Sequence, residues 1–327
     1  MKRIYSITVI FVALVFAKEA NGQTDLGQLL KGSAADANYL AAGYLTPFIN
    51  SVSNGLNSGW YNSAKSHKLL GFDITASASL IYFPSSDQFY KVDNNRLNNI
   101  KLTAGATAPT IFGPKDIPVY AYNAPFSGTF NGPPGVDPNG AYGMNAIPIP
   151  LATIGIGLPK GTELKLRFIP TINTTDFSVS LFGIGVMHDI KQYIPKIKIA
   201  PFDLSAFIGY TSFKTEASLD KLDPSRKASS EFTATTVQAI ISKKLSVVTF
   251  YGSVGYNFNS GSFKVIGSYD AGTGLLALTN PVNLSASSSG PRVTAGLRLK
   301  LLIFTIHGDY TLQTYNVLNL GFGLSVR

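Results

Sequence analysis

The sequence has 327 residues, of which only 14% are charged; a typical soluble domain carries roughly 25%, so a charge-clad soluble surface is excluded. There is no cysteine, which removes disulfides, thiolate metal sites and a cysteine nucleophile from consideration. The formal net charge is +9, but the basic residues are scattered with no stripe of aromatics beside arginines, so nucleic acid is not the implied partner, and an exported protein near lipid phosphates fits better.

Residues 1–22 read as an export signal. Lys2 and Arg3 form a basic start, residues 4–16 an apolar run, and Ala20, Asn21 and Gly22 a small-residue cleavage site. Cleavage near Gly22 would remove Lys2, Arg3, Lys18 and Glu19, leaving 24 basic and 17 acidic residues, a balance of +7. No later segment has the eighteen or so consecutive apolar residues of a membrane helix.

Residues 23–66 are expected to form an N-terminal helical plug or hatch. Ser33 stands as an N-cap with Asp36 three residues on, the pattern of a capping box, and Tyr39, Leu40, Tyr44 and Leu45 recur at helical spacing. Pro47 is expected to kink or split the helix. The loop that follows carries the single tryptophan, Trp60.

Residues 67–327 then alternate. In KLLGFDITASASLIYFP (68–84), Leu70, Phe72, Ile74, Ala76, Ala78, Leu80 and Tyr82 share one face, and Gly71, Asp73, Thr75, Ser77 and Ser79 share the other. Phe72 and Tyr82 lie roughly 33 Å apart along such a strand. Tilted by about 40°, the strand spans the roughly 25 Å apolar band of an outer-membrane barrel. Further strands are expected near 147–158, 162–170, 176–187, 202–216, 231–242, 246–258, 291–301, 303–313 and 316–326, ten with the first. Two short strands within 98–122 would make twelve.

The connections at 159–161, 243–244 and Leu302 read as tight turns, and residues 188–201 on the same side as a short amphipathic helix. The long segments 84–146, 217–230 and 259–290 fall at the opposite end, the asymmetry of an outer-membrane barrel. The expected fold class is therefore all-β, a transmembrane antiparallel β-barrel of about 10–14 strands. A secreted β-sandwich also alternates, but its strands are shorter and its outer faces more charged.

The stretches ANYLAAGYLTPFINSVSNGLNSGWYNSAKSHKLLGFDI, GIGLPKGTELKLRFIP and LFGIGVMHDIKQYIP resemble uncharacterised Gram-negative outer-membrane barrels, distantly similar to long-chain fatty-acid transporters of the FadL type. That resemblance implies a hatch lodged in the barrel and diffusive uptake of hydrophobic molecules. The chain departs from those transporters in having fewer strands and in ending on Arg327.

Asp73, Glu163, Lys165, Arg167, Arg298 and Lys300 are expected on the inward face, either as a selectivity-setting charge ring or as a self-neutralising network that fills a narrow lumen. His307 and Asp309 share the inward face of the ninth strand; an imidazole beside a carboxylate can serve acid–base chemistry, but such a pair in a polar lumen is ordinarily just solvated, and no enzyme activity is expected. Tyr39, Leu40, Tyr44, Leu45, Phe48 and Ile49 are the candidate plug residues, which would line a greasy route. The plug stands against a periplasmic appendage that never enters the barrel. The expected function is passive uptake of hydrophobic or amphipathic small molecules across the outer membrane, with a structural or interaction barrel with long external loops as the alternative. Expected partners are outer-membrane lipids, the barrel-assembly machinery and a hydrophobic small molecule; no cofactor or metal is expected.

Overall fold

The structure, a computed structural model, describes residues 30–174, 176–220, 223–269 and 277–326. The expected signal segment and residues 23–29 lie outside them. Ten strands form one closed sheet: β1 (Phe72–Tyr82), β2 (Ala146–Leu158), β3 (Thr162–Asn173), β4 (Phe177–Asp189), β5 (Asp203–Ser218), β6 (Lys227–Leu245), β7 (Val248–Ile266), β8 (Val282–Leu301), β9 (Phe304–Leu312) and β10 (Val317–Val326). Each pairs antiparallel with the next, and β10 returns to β1 with Phe72 opposite Val326, so the sheet closes into a barrel; its weakest seam is between β2 and β3, which pair only over residues 154–158 and 162–166.

Alternation decides which residues face out. Phe72 and Ile74 are exposed on the outer wall while Asp73, Thr75, Ser77 and Ser79 are buried inside. The same holds around the barrel, with Ile154, Phe182, Ile208, Val254, Leu297 and Phe322 outside. Among the described residues no helix is long and apolar enough to cross a membrane; an apolar outer wall carried by a closed ring of hydrogen-bonded strands is what a bilayer accepts.

One helix, α1 (Ala34–Gly55), lies within this ring. Ser33 accepts from the Asp36 amide and Asp36 from the Ser33 amide, each at 3.1 Å, completing the capping box. Its N-terminal end sits at the long-loop end, where Asp36 accepts from the amides of Asn98 and Asn99 and Asn38 bonds Pro281 and Asn283. From there the chain descends. Asn54 reaches Ser288, Tyr61 reaches Gln238 and Ser253, Ala64 meets Ser205 and Ser242, and Leu70 bonds the Gly157 carbonyl at the short-turn end before β1 climbs back.

Several expectations change. Pro47 does not split α1, which runs unbroken through it. The proline removes only the donor to the Gly43 carbonyl, and nearby carbonyls take donors from outside the helix ladder, Ala42 from the Thr46 hydroxyl, Tyr44 from the Ile111 amide and Pro47 from the Ser51 hydroxyl. Residues 188–201 hold only a 3₁₀ turn at Lys191–Tyr193, because Pro195 forces Ile194 out of the helical region, to φ −109° and ψ 98°. The turn expected at 243–244 lies at Ser246 and Val247, since pairing continues through Lys244↔Thr249 and Leu245↔Val248. The short strands Ile100–Leu102 and Val119–Tyr122 pair with each other, and the latter with Thr129–Asn131, in a small sheet apart from the barrel, which therefore stays at ten strands. Three strands outrun their expected lengths: β6, β7 and β8 span 19, 19 and 20 residues and absorb much of the loops placed at 217–230 and 259–290.

Candidate functional site

The chemistry of the lumen concentrates where α1 ends. A helix leaves its last carbonyls without partners and carries partial negative charge there, and the last turn of α1 contains no basic residue. The wall supplies two. Arg167 on β3, 0% exposed, donates through Nη1 to the Leu56 carbonyl at 2.8 Å, through Nη2 to the Ser58 carbonyl and through Nε to Thr153 at 3.1 Å. Its guanidinium lies 3.6 Å from the centroid of the Trp60 ring, so the plane of the cation is covered while its edge is hydrogen-bonded. Arg292 on β8 donates to the Asn57 carbonyl at 2.9 Å and to Thr294 and Thr311 at 3.3 Å. Arg298 holds the Asn62 side chain at 2.8 Å.

Gly59 turns the chain directly after these carbonyls. Its φ is +70°, and a Cβ there would stand 2.8 Å from the Ser77 hydroxyl, so a side chain would be strained and would clash. Below it, Trp60, Tyr61, Phe207, Tyr251 and Met187 form a buried cluster, with the Tyr61 hydroxyl 2.5 Å from Gln238 and 2.6 Å from Ser253. The gap beside Trp60, Tyr61 and His307 has a cavity volume of about 0 Å³ and is too tight to hold a water molecule, let alone a small-molecule ligand.

Nearest the short turns, His67, Asp73, Glu163 and Lys165 meet. His67 Nδ1 and its backbone amide both lie 2.9 Å from Glu163, Nε2 lies 3.0 Å from Ser325, and Lys165 Nζ is 2.5 Å from Glu163 and 3.6 Å from Asp73. His67, Asp73 and Glu163 place ligand atoms within 4.8 Å of one another, but the Lys165 ammonium already provides between the two carboxylates the positive charge that a metal would bring. The arrangement fits an ion-pair network better than a cation site. Lys300 joins it through Ser325 at 2.9 Å.

Thus Asp73, Glu163 and Lys165 come together, Arg167 and Arg298 act on the descending chain, and Lys300 sits at the rim. His307 and Asp309 both face inward but form no relay: His307 Nδ1 has no hydrogen-bond partner, and Asp309 accepts from Tyr251 at 2.9 Å and Asn319 at 3.0 Å. Leu40, Tyr44, Leu45 and Ile49 are buried, and Tyr39 and Phe48 half-buried, packed against Leu151, Leu181, Phe232, Phe263, Val265 and Leu284 of the wall and against loop residues. Arg292, Asn57, Tyr61 and His67 were not among the expected lumen residues. Arg292 was within reach, since it shares the face of Thr294 and Arg298 two residues along the same alternation. Asn57, Tyr61 and His67 belong to irregular chain, where no period marks a side.

Among the solved structures to which the chain is similar are three bacterial proteins. Ail, the attachment invasion locus protein of Yersinia pestis, is 8% identical, covering 79% of this chain and 98% of that one with a TM-score of 0.27. The translocator domain of the autotransporter NalP from Neisseria meningitidis is 10% identical, covering 90% and 98% with a TM-score of 0.32. The toluene transporter TbuX of Ralstonia pickettii is 8% identical, covering 81% and 91% with a TM-score of 0.19. No curated protein sequence matches the chain. A family model spans nearly its whole length, residues 1–326, and the chain belongs to that family, described as a family of unknown function (DUF6588).

Proposed function

We propose that this chain is an outer-membrane barrel of a Gram-negative bacterium, sealed by its own N-terminal helix, that works as an anchored platform facing the cell exterior. The observation that carries the reading is the seating of the helix end: Arg167 and Arg292 bind three consecutive carbonyls, those of Leu56, Asn57 and Ser58, from opposite parts of the wall. Above that point the apolar face of α1 is covered by wall and loop residues, and below it side chains fill the space. Passive uptake of hydrophobic molecules, expected from the resemblance to fatty-acid transporters, would require α1 to leave or a passage through the seam where residues 146–153 of β2 and 167–173 of β3 do not pair with each other. What faces outward is substantial: the small three-stranded sheet, the start of α1 and the projecting ends of β6 to β8.

Conductance in planar bilayers tests the seal. The wild-type barrel is expected to insulate, and deletion of residues 33–55 to open steady conductance steps. A conducting wild type, or a silent deletion variant that still shows heat-modifiable mobility on a gel, overturns the seal. Orientation is tested separately, because the chain lacks cysteine. In intact cells a membrane-impermeant maleimide should label Ala35→Cys, exposed at the long-loop end, and should label Lys196→Cys only after the outer membrane is opened.

A further inference from the structure

The positive charge of this protein is not scattered once the chain is folded. Among the described residues, the long-loop end with the projecting strand ends carries nine basic and ten acidic residues, and the lumen carries Lys165, Arg167, Arg292 and Arg298 against Asp73, Glu163 and Asp309. The short-turn end carries Lys65, Lys68, Lys160, Lys191, Lys196, Lys198, Lys243, Lys244 and Lys300 against Asp189 and Asp203 alone. Seven of these lysines, all but Lys191 and Lys300, are exposed, and none of the seven has an ion-pair partner among the described residues.

The same rim is greasy at its tips. Ile199 is 93% exposed, Leu302 90% and Leu70 72%. Leu302 and Leu70 take φ values of 56° and 61°, a left-handed conformation that favours Gly or Asn over a bulky side chain. A strained, bare leucine at a turn tip gains nothing from water; it gains from an apolar medium. The rim continues without interruption from the lipid-facing wall, through Leu158, Leu301 and Phe304, so its lysines lie at headgroup depth when the wall is in a bilayer.

We propose that the short-turn rim binds the anionic headgroups of the phospholipid leaflet that it faces, with the seven free lysines around the barrel as phosphate contacts and Leu70, Ile199 and Leu302 as apolar anchors. Lysine suits this role, since it meets phosphate as a compact charge without the bidentate geometry that arginine demands. The proposal rests on the membrane reading, and its test separates the two.

The full mature barrel is reconstituted into vesicles of equal phosphatidylglycerol and phosphatidylcholine, extracted with mild detergent, and its retained lipid is counted by native mass spectrometry. The expected result is an enrichment of phosphatidylglycerol of about threefold or more over the vesicle ratio, falling with added salt. A variant with Lys65, Lys68, Lys160, Lys196, Lys198, Lys243 and Lys244 changed to Gln should fall back to the vesicle ratio, the corresponding Arg variant should keep the enrichment, and a control with Lys91, Lys101 and Lys115 changed to Gln at the other end should match wild type. An inserted wild-type barrel that retains the vesicle ratio, or an enrichment that survives the Gln changes, overturns the proposal; the lysines would then serve an acidic protein. Failure of the wild type to enter vesicles at all would overturn the membrane reading itself.

Discussion

The two ends of β6, β7 and β8 are built in opposite senses. In the half nearer the short turns, β8 points Leu301, Leu299, Leu297 and Val293 outward and Lys300, Arg298, Thr294 and Arg292 inward. In the half nearer the long loops it points Ser289, Ser287, Ser285 and Asn283 outward and Leu284 and Val282 inward. The neighbours invert at the same level. On β7 outward Phe250, Val254, Tyr256 and Phe258 give way to Ser260, Ser262 and Lys264 while inward Asn257 and Asn259 give way to Phe263 and Val265, and on β6 outward Val237 and Ile241 give way to Thr235, Thr233 and Glu231 while Phe232 turns inward. The backbone alternation never slips; what changes is the medium on each side. Lower down the outside meets lipid and the inside meets the polar chain 56–67. Higher up the outside meets water and the inside meets the apolar flank of α1. Tyr256 and Phe258, with ring centroids 5.1 Å apart, stand at the crossover, where aromatic rings favour a membrane interface.

The lower half grips the descending chain through hydrogen bonds, and breaking that grip should have the largest effect. Arg167→Ala removes the donors to Leu56 and Ser58 and uncovers the face of Trp60. Loss of a buried, multiply bonded cation site of this kind costs about 3–5 kcal/mol. Urea unfolding in detergent micelles should show the drop in midpoint, and the emission of Trp60, the single tryptophan, should shift to the red before the strands unfold. A lone global transition at the wild-type midpoint would mean that the arginine is not holding the segment.

The inversion itself is sharpened by placing one charge on the outer face of one strand at two heights. Leu297→Arg puts a cation into the lipid-facing band and should cost about 2–4 kcal/mol, whereas Ser287→Arg, ten residues up the same face, should lie within about 0.5 kcal/mol of wild type. Equal costs at both positions would erase the boundary drawn between the two halves.

This inversion also explains what could and could not be read from the sequence. The band-spanning part of each strand was legible because lipid outside and polar lumen inside produce a clean period of two, as in residues 72–82, and the ten-strand count and the side to which each residue points followed from it. The projecting ends read as loops at 217–230 and 259–290 because their alternation is of small polar residues with only occasional apolar ones, and in the opposite phase. The run SASSSG (285–290) looks like a linker until its inner neighbours Leu284 and Val282 are seen against α1. The helix was legible from its cap and spacing. Its seat was not, because the partners of Leu56, Asn57 and Ser58 are backbone carbonyls reached from residues more than a hundred positions away, and a carbonyl leaves no mark in a sequence.

The smallest effect belongs to the upper half, at the mouth. Ser33 and Asp36 cap α1 reciprocally, but Asp36 also ties the helix start to the loop amides of Asn98 at 2.6 Å and Asn99 at 3.0 Å. Ser33→Ala removes two bonds from this group, from the Asp36 amide at 3.1 Å and from the Asn98 side chain at 3.4 Å, and leaves the Asp36 anchor in place, so its cost should be about 1 kcal/mol or less. Because the apolar flank of α1 stays packed against Phe232, Phe263 and Leu284, that loss should be felt locally. Amide exchange at residues 34–38 should quicken by up to roughly fivefold, while the urea midpoint and the Trp60 emission stay where they are in the wild type. If the midpoint falls as far as it does in Arg167→Ala, the helix start and the helix end are one cooperative unit, and the division of labour between an apolar upper grip and a hydrogen-bonded lower one is wrong.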